Sequence, residues 1–128
     1  MLIAGIHHVS VTVRYLAVSR GFYEGLLGLE PRSDRPGDPA EGVWYRAGGQ
    51  EIHLIVAGAA DLKAGDPAAY PGRQRHVALW IHDLEALTRR LEEAGIPLTH
   101  SRSGRPVVFC RDPDGNVFEL VGVREEKL

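Results

Sequence analysis

Four side chains share a chemistry and a repeated setting: His8, His53, His76 and Glu119. Each lies in a short apolar run, where period 2 turns it away from its strongest hydrophobic neighbours. Those neighbours are Val9 and Val11, Ile52 and Leu54, Val77 and Leu79, Phe118 and Leu120. Imidazole nitrogen and carboxylate oxygen together suit a first-row divalent ion such as Zn, Ni, Mn, Fe or Co. The absence of a thiolate set argues against a structural zinc knuckle. Glu119 carries particular weight, because its in-phase neighbours Val117 and Val121 are apolar. A carboxylate in such surroundings is destabilised unless a cation, a metal ion or a raised pKa compensates.

These residues need strands to hold them. Residues 107–121 read as a β-hairpin, two apolar runs around Asp112-Pro113-Asp114-Gly115-Asn116, and Glu119 falls in its second strand. Residues 5–13 alternate as a strand that places His8 on one face and His7 on the other. A helix is predicted over 16–27, with Val18, Phe22 and Leu26 as its apolar stripe and Gly28 as its stop. Residues 31–42 hold three prolines and read as a loop, with a short strand near Glu30. Strands at 43–47 and 51–56 follow, joined by Gly48-Gly49. The second half opens with a strand at 76–81 and a helix capped by Asp83 that runs to Ala94. Leu84, Leu87 and Leu91 form that helix's stripe, and Gly95 with Pro97 ends it. A short strand at 98–100 then leads into the hairpin.

The order strand, helix, three strands thus occurs twice, and the copies align by residue. His8 to Val13 aligns with His76 to Ile81 at an offset of 68, and Gly49 to Leu54 with Gly115 to Leu120 at an offset of 66. His8 therefore matches His76, and His53 matches Glu119. Two modules, about 1–57 and 75–123, flank a connector at 58–74 rich in Ala, Gly and Pro. The whole is one 128-residue domain.

Composition narrows the functions. A net charge of −2 without a basic stripe gives no electrostatic case for nucleic acid. No apolar segment approaches the roughly 20 residues of a membrane span, and no secretory leader is evident. The lone cysteine, Cys110, reads as a small core residue in a reducing, cytoplasmic setting.

The sequence resembles the vicinal oxygen chelate superfamily, which includes glyoxalase I, methylmalonyl-CoA epimerase, fosfomycin-resistance transferases, extradiol dioxygenases and bleomycin-binding proteins. The resemblance rests on His7-His8-Val9-Ser10-Val11-Thr12-Val13, on Phe22-Tyr23 followed by Leu27-Gly28-Leu29, on His76-Val77-Ala78-Leu79, and on Asp112-Pro113-Asp114-Gly115-Asn116 running into Phe118-Glu119-Leu120. It implies an α+β fold of two tandem βαβββ modules whose curved mixed sheets form a metal-binding cleft. It also implies a homodimer, and ligands at His8, His76 and Glu119 with His53 at the fourth position. His53 departs from the glutamate typical of glyoxalase I-like members and the glutamine of epimerase-like ones. A set of His8, His76 and Glu119 alone is similar to the two-histidine, one-carboxylate triad of the extradiol dioxygenases and to the fosfomycin-resistance site.

The resemblance implies a metal-dependent enzyme, a glyoxalase-like lyase or isomerase first. A divalent ion holds two oxygens of a small substrate, and Glu119 or a water on the ion moves the proton. The alternatives are an extradiol-type dioxygenase, a fosfomycin-resistance-like transferase, and a metal-free drug-binding protein of the bleomycin-resistance type. Trp44, Trp80 and Arg105 are the expected substrate contacts, as aromatics and a cation near the site.

Overall fold

A computed structural model describes residues 1–62 and 65–124, in two compact units, Met1–Lys63 and Ala64–Leu128. In the first, β1 (His8–Val13) leads to a short helix, α1 (Leu16–Arg20), and then to β2 (Gly42–Ala47) and β3 (Gln50–Val56). The sheet order is β1-β3-β2, with β1 parallel and β2 antiparallel to β3. The short strand expected near Glu30 is a single bridge from Pro31 to Tyr45, extended by Arg32 N–H donating to the Trp44 carbonyl at 2.8 Å. Proline lacks the N–H that a longer ladder needs, and Pro36 and Pro39 follow within the same loop.

The second unit contains β4 (His76–Ile81), α2 (Leu84–Glu93), β5 (Thr99–His100), β6 (Val107–Arg111) and β7 (Val117–Gly122). Its order is β4-β7-β6-β5, with β4 parallel to β7 and the other neighbours antiparallel. The Pro31 bridge lies outside β2 as β5 lies outside β6, so both units repeat one topology. The fold class is α+β with two mixed sheets. The registers repeat too: Ser10 stands opposite His53 as Ala78 stands opposite Glu119.

The first helix departs from the sequence reading. It is α-helical only to Arg20, then widens into a π-helical turn over Gly21–Leu26, closed by Leu27 N–H donating to the Phe22 carbonyl at 3.0 Å. A π turn inserts a residue into the 3.6 repeat and shifts the inward face. The buried residues are Ser19, Phe22 and Tyr23, while Val18 is 57% exposed. Gly28, at φ +74°, ends the segment as predicted. Tyr23 stacks on Tyr45, ring centroids 6.0 Å apart, above a face built from Val11, Val13, Ile52, Leu54 and Val43. The Tyr45 hydroxyl donates to Glu24 Oε2 at 2.7 Å, and Arg20 Nε pairs with the same carboxylate at 2.6 Å. A buried hydroxyl thus keeps a partner.

In the second unit the Asp83 side chain accepts from Ala86 N–H at 3.0 Å, the expected cap, and Gly95 at φ +77° closes the helix. Leu87 and Leu91 are buried on the face carrying Val108, Cys110, Phe118 and Leu120. Burial, with Asp112 nearby, pushes the Cys110 thiol up to about 12. On the opposite face Val107, Phe109 and Val117 form a second buried cluster, joined by Tyr70 and Val121. Arg111 ties the connector to this sheet. Its Nη1 donates to Gln74 Oε1 at 2.9 Å, and its Nη2 to the Asp66 and Ala69 carbonyls at 3.3 Å. Among the described residues no helix is long and apolar enough to cross a membrane.

The β6–β7 turn depends on one carboxylate. Asp112 is 5% exposed; its Oδ1 accepts from Asp114 N–H and Asn116 N–H at 2.9 and 2.8 Å, and its Oδ2 from Asn116 Nδ2 at 2.8 Å. Gly115 takes φ +89° there. Asp112→Ala leaves three donors to find water, and the expected loss of stability is about 2–3 kcal/mol, read by urea denaturation.

Candidate metal and substrate site

Parallel pairing of β4 and β7 brings His76 and Glu119 to one face. His76 sits opposite Val117, one step from the Ala78–Glu119 pair, and alternation aims His76, Ala78, Val117 and Glu119 the same way. His76 Nε2 lies 3.9 Å from Glu119 Oε1, with side chains 27% and 19% exposed. The ring's other nitrogen is engaged, Nδ1 standing 2.7 Å from the Gln74 carbonyl. A carbonyl only accepts, so Nδ1 carries the hydrogen and Nε2 is the nitrogen turned toward the carboxylate. Two ligands at about 2.0–2.2 Å from one ion stand at most about 4.2 Å apart, so this pair fits a divalent cation. Phe109 packs edge-on against His76, centroids 5.8 Å apart, and limits ring rotation.

In the first unit, three rings stack across three strands. His53 lies between His8, 4.0 Å away and 15° from parallel, and Trp44, 4.5 Å away and 13° from parallel. His53 Nε2 is 2.9 Å from Glu51 Oε1. Arg32 Nη1 holds Glu51 Oε2 at 2.5 Å and grips Asp34 through both Nε and Nη2. The Arg32 guanidinium also lies 5.5 Å from the Trp44 ring centroid, a cation–π contact. These partners hold the Glu51 carboxyl below the usual carboxylate range, the His53 hydrogen bond first and the Arg32 contacts after it. Ionised, Glu51 only accepts, so His53 Nε2–H donates and Nδ1 is the nitrogen left for a ligand. A carboxylate that fixes the far nitrogen of an imidazole is the usual support of a metal-binding histidine.

His8 Nδ1 is 2.8 Å from His7 Nδ1, so His7 is exposed and beside the candidate ligand, not under the helix. It precedes β1 and escapes the strand's alternation. Burial lowers the His8 pKa, and His53 and His7 lower it further, which favours the neutral, ligating form. Among the described residues, no three His, Cys, Asp or Glu side chains gather closely enough to hold a metal ion. The four candidates stand as a His8–His53 pair in one unit and a His76–Glu119 pair in the other.

Sequence reading missed Glu51 and Arg32. Glu51 was legible, since Glu51-Ile52-His53 places two polar side chains on one face around a buried isoleucine; Arg32 lies in a proline-rich loop without periodicity. Of the expected substrate contacts, Trp44 backs His53, while Trp80 and Arg105 border one groove in the second unit.

Two mixed sheets, each with a parallel pair of first and last strands carrying the candidate ligands, define the class as a tandem α+β protein of glyoxalase fold. The chain belongs to the Glyoxalase/Bleomycin resistance protein/Dioxygenase superfamily, whose family model matches residues 5–120. It is similar to Glyoxylase I 4 of Arabidopsis thaliana, 28% identical over 123 residues that cover 92% of this chain and 70% of the relative. A solved glyoxalase family protein from Bacillus anthracis superposes with a TM-score of 0.71 at 26% identity, covering 97% of this chain and 98% of the other. The fosfomycin resistance protein FosX from Listeria monocytogenes shares the fold, at a TM-score of 0.71 and 19% identity, covering 98% of both chains.

The Glu51 network has a pH signature. A carboxyl held below its unfolded pKa contributes stability that is full above the unfolded value and is lost as pH falls through the folded one. The wild type is therefore expected to exceed Glu51→Gln in thermal stability at pH 7, with the gap closing below about pH 4, the ordinary carboxylate range. Nitrogen-15 spectra of His53 are expected to show protonated Nε2 in the wild type and mixed tautomers in the variant. Equal melting temperatures at pH 7 would remove Glu51 from this role.

Proposed function

We propose that the protein is a divalent-metal-dependent enzyme, a glyoxalase-like lyase or isomerase acting on a small substrate held through two oxygens. The observation that carries the reading is His76 Nε2 directed at the Glu119 carboxylate, 3.9 Å away, with Nδ1 held by the Gln74 carbonyl. Without a shared cation or proton, a nitrogen lone pair and a carboxylate oxygen would face each other in a partly buried position, and His76 and Glu119 would together hold a divalent ion there. His8, His53, His76 and Glu119 are the proposed ligands. When bound, the ion supplies Lewis-acid stabilisation of negative charge on substrate oxygen.

The chain's own residues do the rest. The Gln74 carbonyl and Phe109 fix the His76 ring, and Glu51 with Trp44 fixes His53, so the imidazoles are oriented before substrate arrives. Glu119 is the proton carrier: its carboxylate receives a proton from a substrate carbon next to a carbonyl and returns it to the neighbouring carbon. Buried Val107, Phe109 and Val117 keep water from that face and strengthen the electrostatics of transfer. Trp44, Trp80 and Arg105 are the proposed substrate contacts. The single buried thiol of Cys110 suits a cytoplasmic setting.

A second reading, a metal-free small-molecule binding protein, draws on the flat Trp44–His53–His8 stack, which suits an aromatic guest. Metal titration separates the two. Mn, Ni, Zn or Fe is expected to raise the melting temperature of the wild type, with the shift largely lost in His76→Ala, His8→Ala and Glu119→Gln; affinity falling about 100-fold removes about 2.7 kcal/mol of ligand stabilisation at fixed metal. Equal shifts in all four proteins would take these residues out of the site, and no shift in any would favour the metal-free reading.

The proposed assembly is a homodimer, in keeping with the short exposed edge strands of each sheet. Light scattering at micromolar concentration is expected to give twice the 14.0 kDa chain mass; a monomer throughout would overturn it.

A further inference from the structure

The face that carries His76 and Glu119 continues past them into an open groove of about 470 Å³. Its floor and walls are Val107, Val121, Val123, Pro106 and the ring of Trp80. That volume is within the usual range for small-molecule sites. Alternation makes the continuity definite: Trp80 shares a face with His76, Val121 with Glu119, and Val107 pairs with Val121. Val121 follows Glu119 by two residues and Trp80 follows His76 by four. Trp80 and Val121 are paired at one level, so at about 3.3 Å per residue the groove stands roughly 7 Å beyond Glu119 and roughly 13 Å beyond His76 along the strands.

Charge specifies what it takes. Two arginines, Arg105 and Arg124, border the groove, and among the described residues no carboxylate lines it. Arg105 donates its Nε to Ser103 Oγ at 3.3 Å, a neutral and long contact, and neither arginine pairs with a carboxylate among the described residues. Trp80 is 77% exposed, a large ring over an apolar floor without a covering side chain. Cations at the mouth of a greasy channel with an aromatic wall are complementary to an anion on an apolar body.

We infer that the groove holds the far end of the substrate, an organic acid whose flat or aliphatic body lies along Val121 and Trp80 and whose terminal carboxylate is paired by Arg105 and Arg124. This rests on the reading of His76 and Glu119 as the chelating end, and it sets a minimum on the substrate's span, because the groove starts about 7 Å beyond Glu119. A compact two- or three-carbon oxoacid cannot bridge that distance. An acid with an aromatic or extended acyl spacer does.

The test uses the full chain and two probes of nearly the same shape, the anion 2-naphthoate and the neutral 2-naphthamide, titrated calorimetrically. Naphthoate is expected to bind at one saturable site and more weakly as salt is raised, with the amide at least about tenfold weaker, the scale of one charge-assisted contact. Trp80→Ala and Arg105→Ala are each expected to weaken naphthoate about fivefold or more, and Arg105→Lys to retain most of the affinity. These side chains lie at the surface, so thermal melts serve as the check that each variant is folded. Naphthoate is expected to bind with and without added Mn, so failure of the metal reading is visible separately. Equal affinity for acid and amide, no measurable naphthoate binding, or wild-type affinity in folded Trp80→Ala and Arg105→Ala would overturn the inference.

Discussion

Parallel pairing between the first and last strand of each unit is the constraint from which the site follows. A parallel neighbour cannot be reached by a tight turn, so the chain must leave the sheet and return. The excursion through a helix and two further strands covers one face of each sheet with apolar side chains. The uncovered face then has an edge strand and a central strand side by side, and their alternation brings His76 against Glu119 and His53 beside His8. Were either register shifted by one residue, these side chains would exchange places with Phe118 and Ile52, both at or below 1% exposure, and the core would be lost with the site.

The two halves solve the same geometric problem with different chemistry. In the second unit the histidine and carboxylate face each other across a gap, with His76 restrained by a backbone carbonyl and an aromatic edge. In the first, the carboxylate stands opposite His8 in register, as Glu51, and is already engaged by His53 and Arg32. One unit keeps its carboxylate available, and the other uses it to orient a ring. A repeated fold thus carries an asymmetric pair of sites, because Glu51 and Val117 occupy the same place in the repeat.

Much of this was legible in the sequence because it rests on local rules. Strand alternation, the Asp83 cap, the stops at Gly28 and Gly95 and the turn around Asp112 each follow from one residue's conformational or hydrogen-bonding preference, and the offset between copies tied the strands together. The widened turn at Gly21–Leu26 was not legible, since the choice between α and π depends on how Phe22 and Tyr23 meet the sheet. The Arg32–Glu51 bridge spans nineteen positions and joins a loop to a strand, and His7 lay outside the strand whose period was used to orient it. The bearing of the groove on substrate shape needed Arg105 and Trp80 on one surface, which sequence distance does not reveal.

The placement of the two tryptophans has an optical consequence. Trp44 is stacked face to face with an imidazole and lies near a guanidinium, an environment that drains excited-state energy, whereas Trp80 is largely open to solvent and emits as a red-shifted indole. Each unit therefore contains one tryptophan with its own brightness and colour. As the chain is denatured, the release of Trp44 from its stack brightens emission, while Trp80 changes little. The chain thus carries a built-in reporter that is almost blind to one half and sensitive to the other, so a mismatch between fluorescence and circular dichroism transitions would reveal the two units melting in sequence.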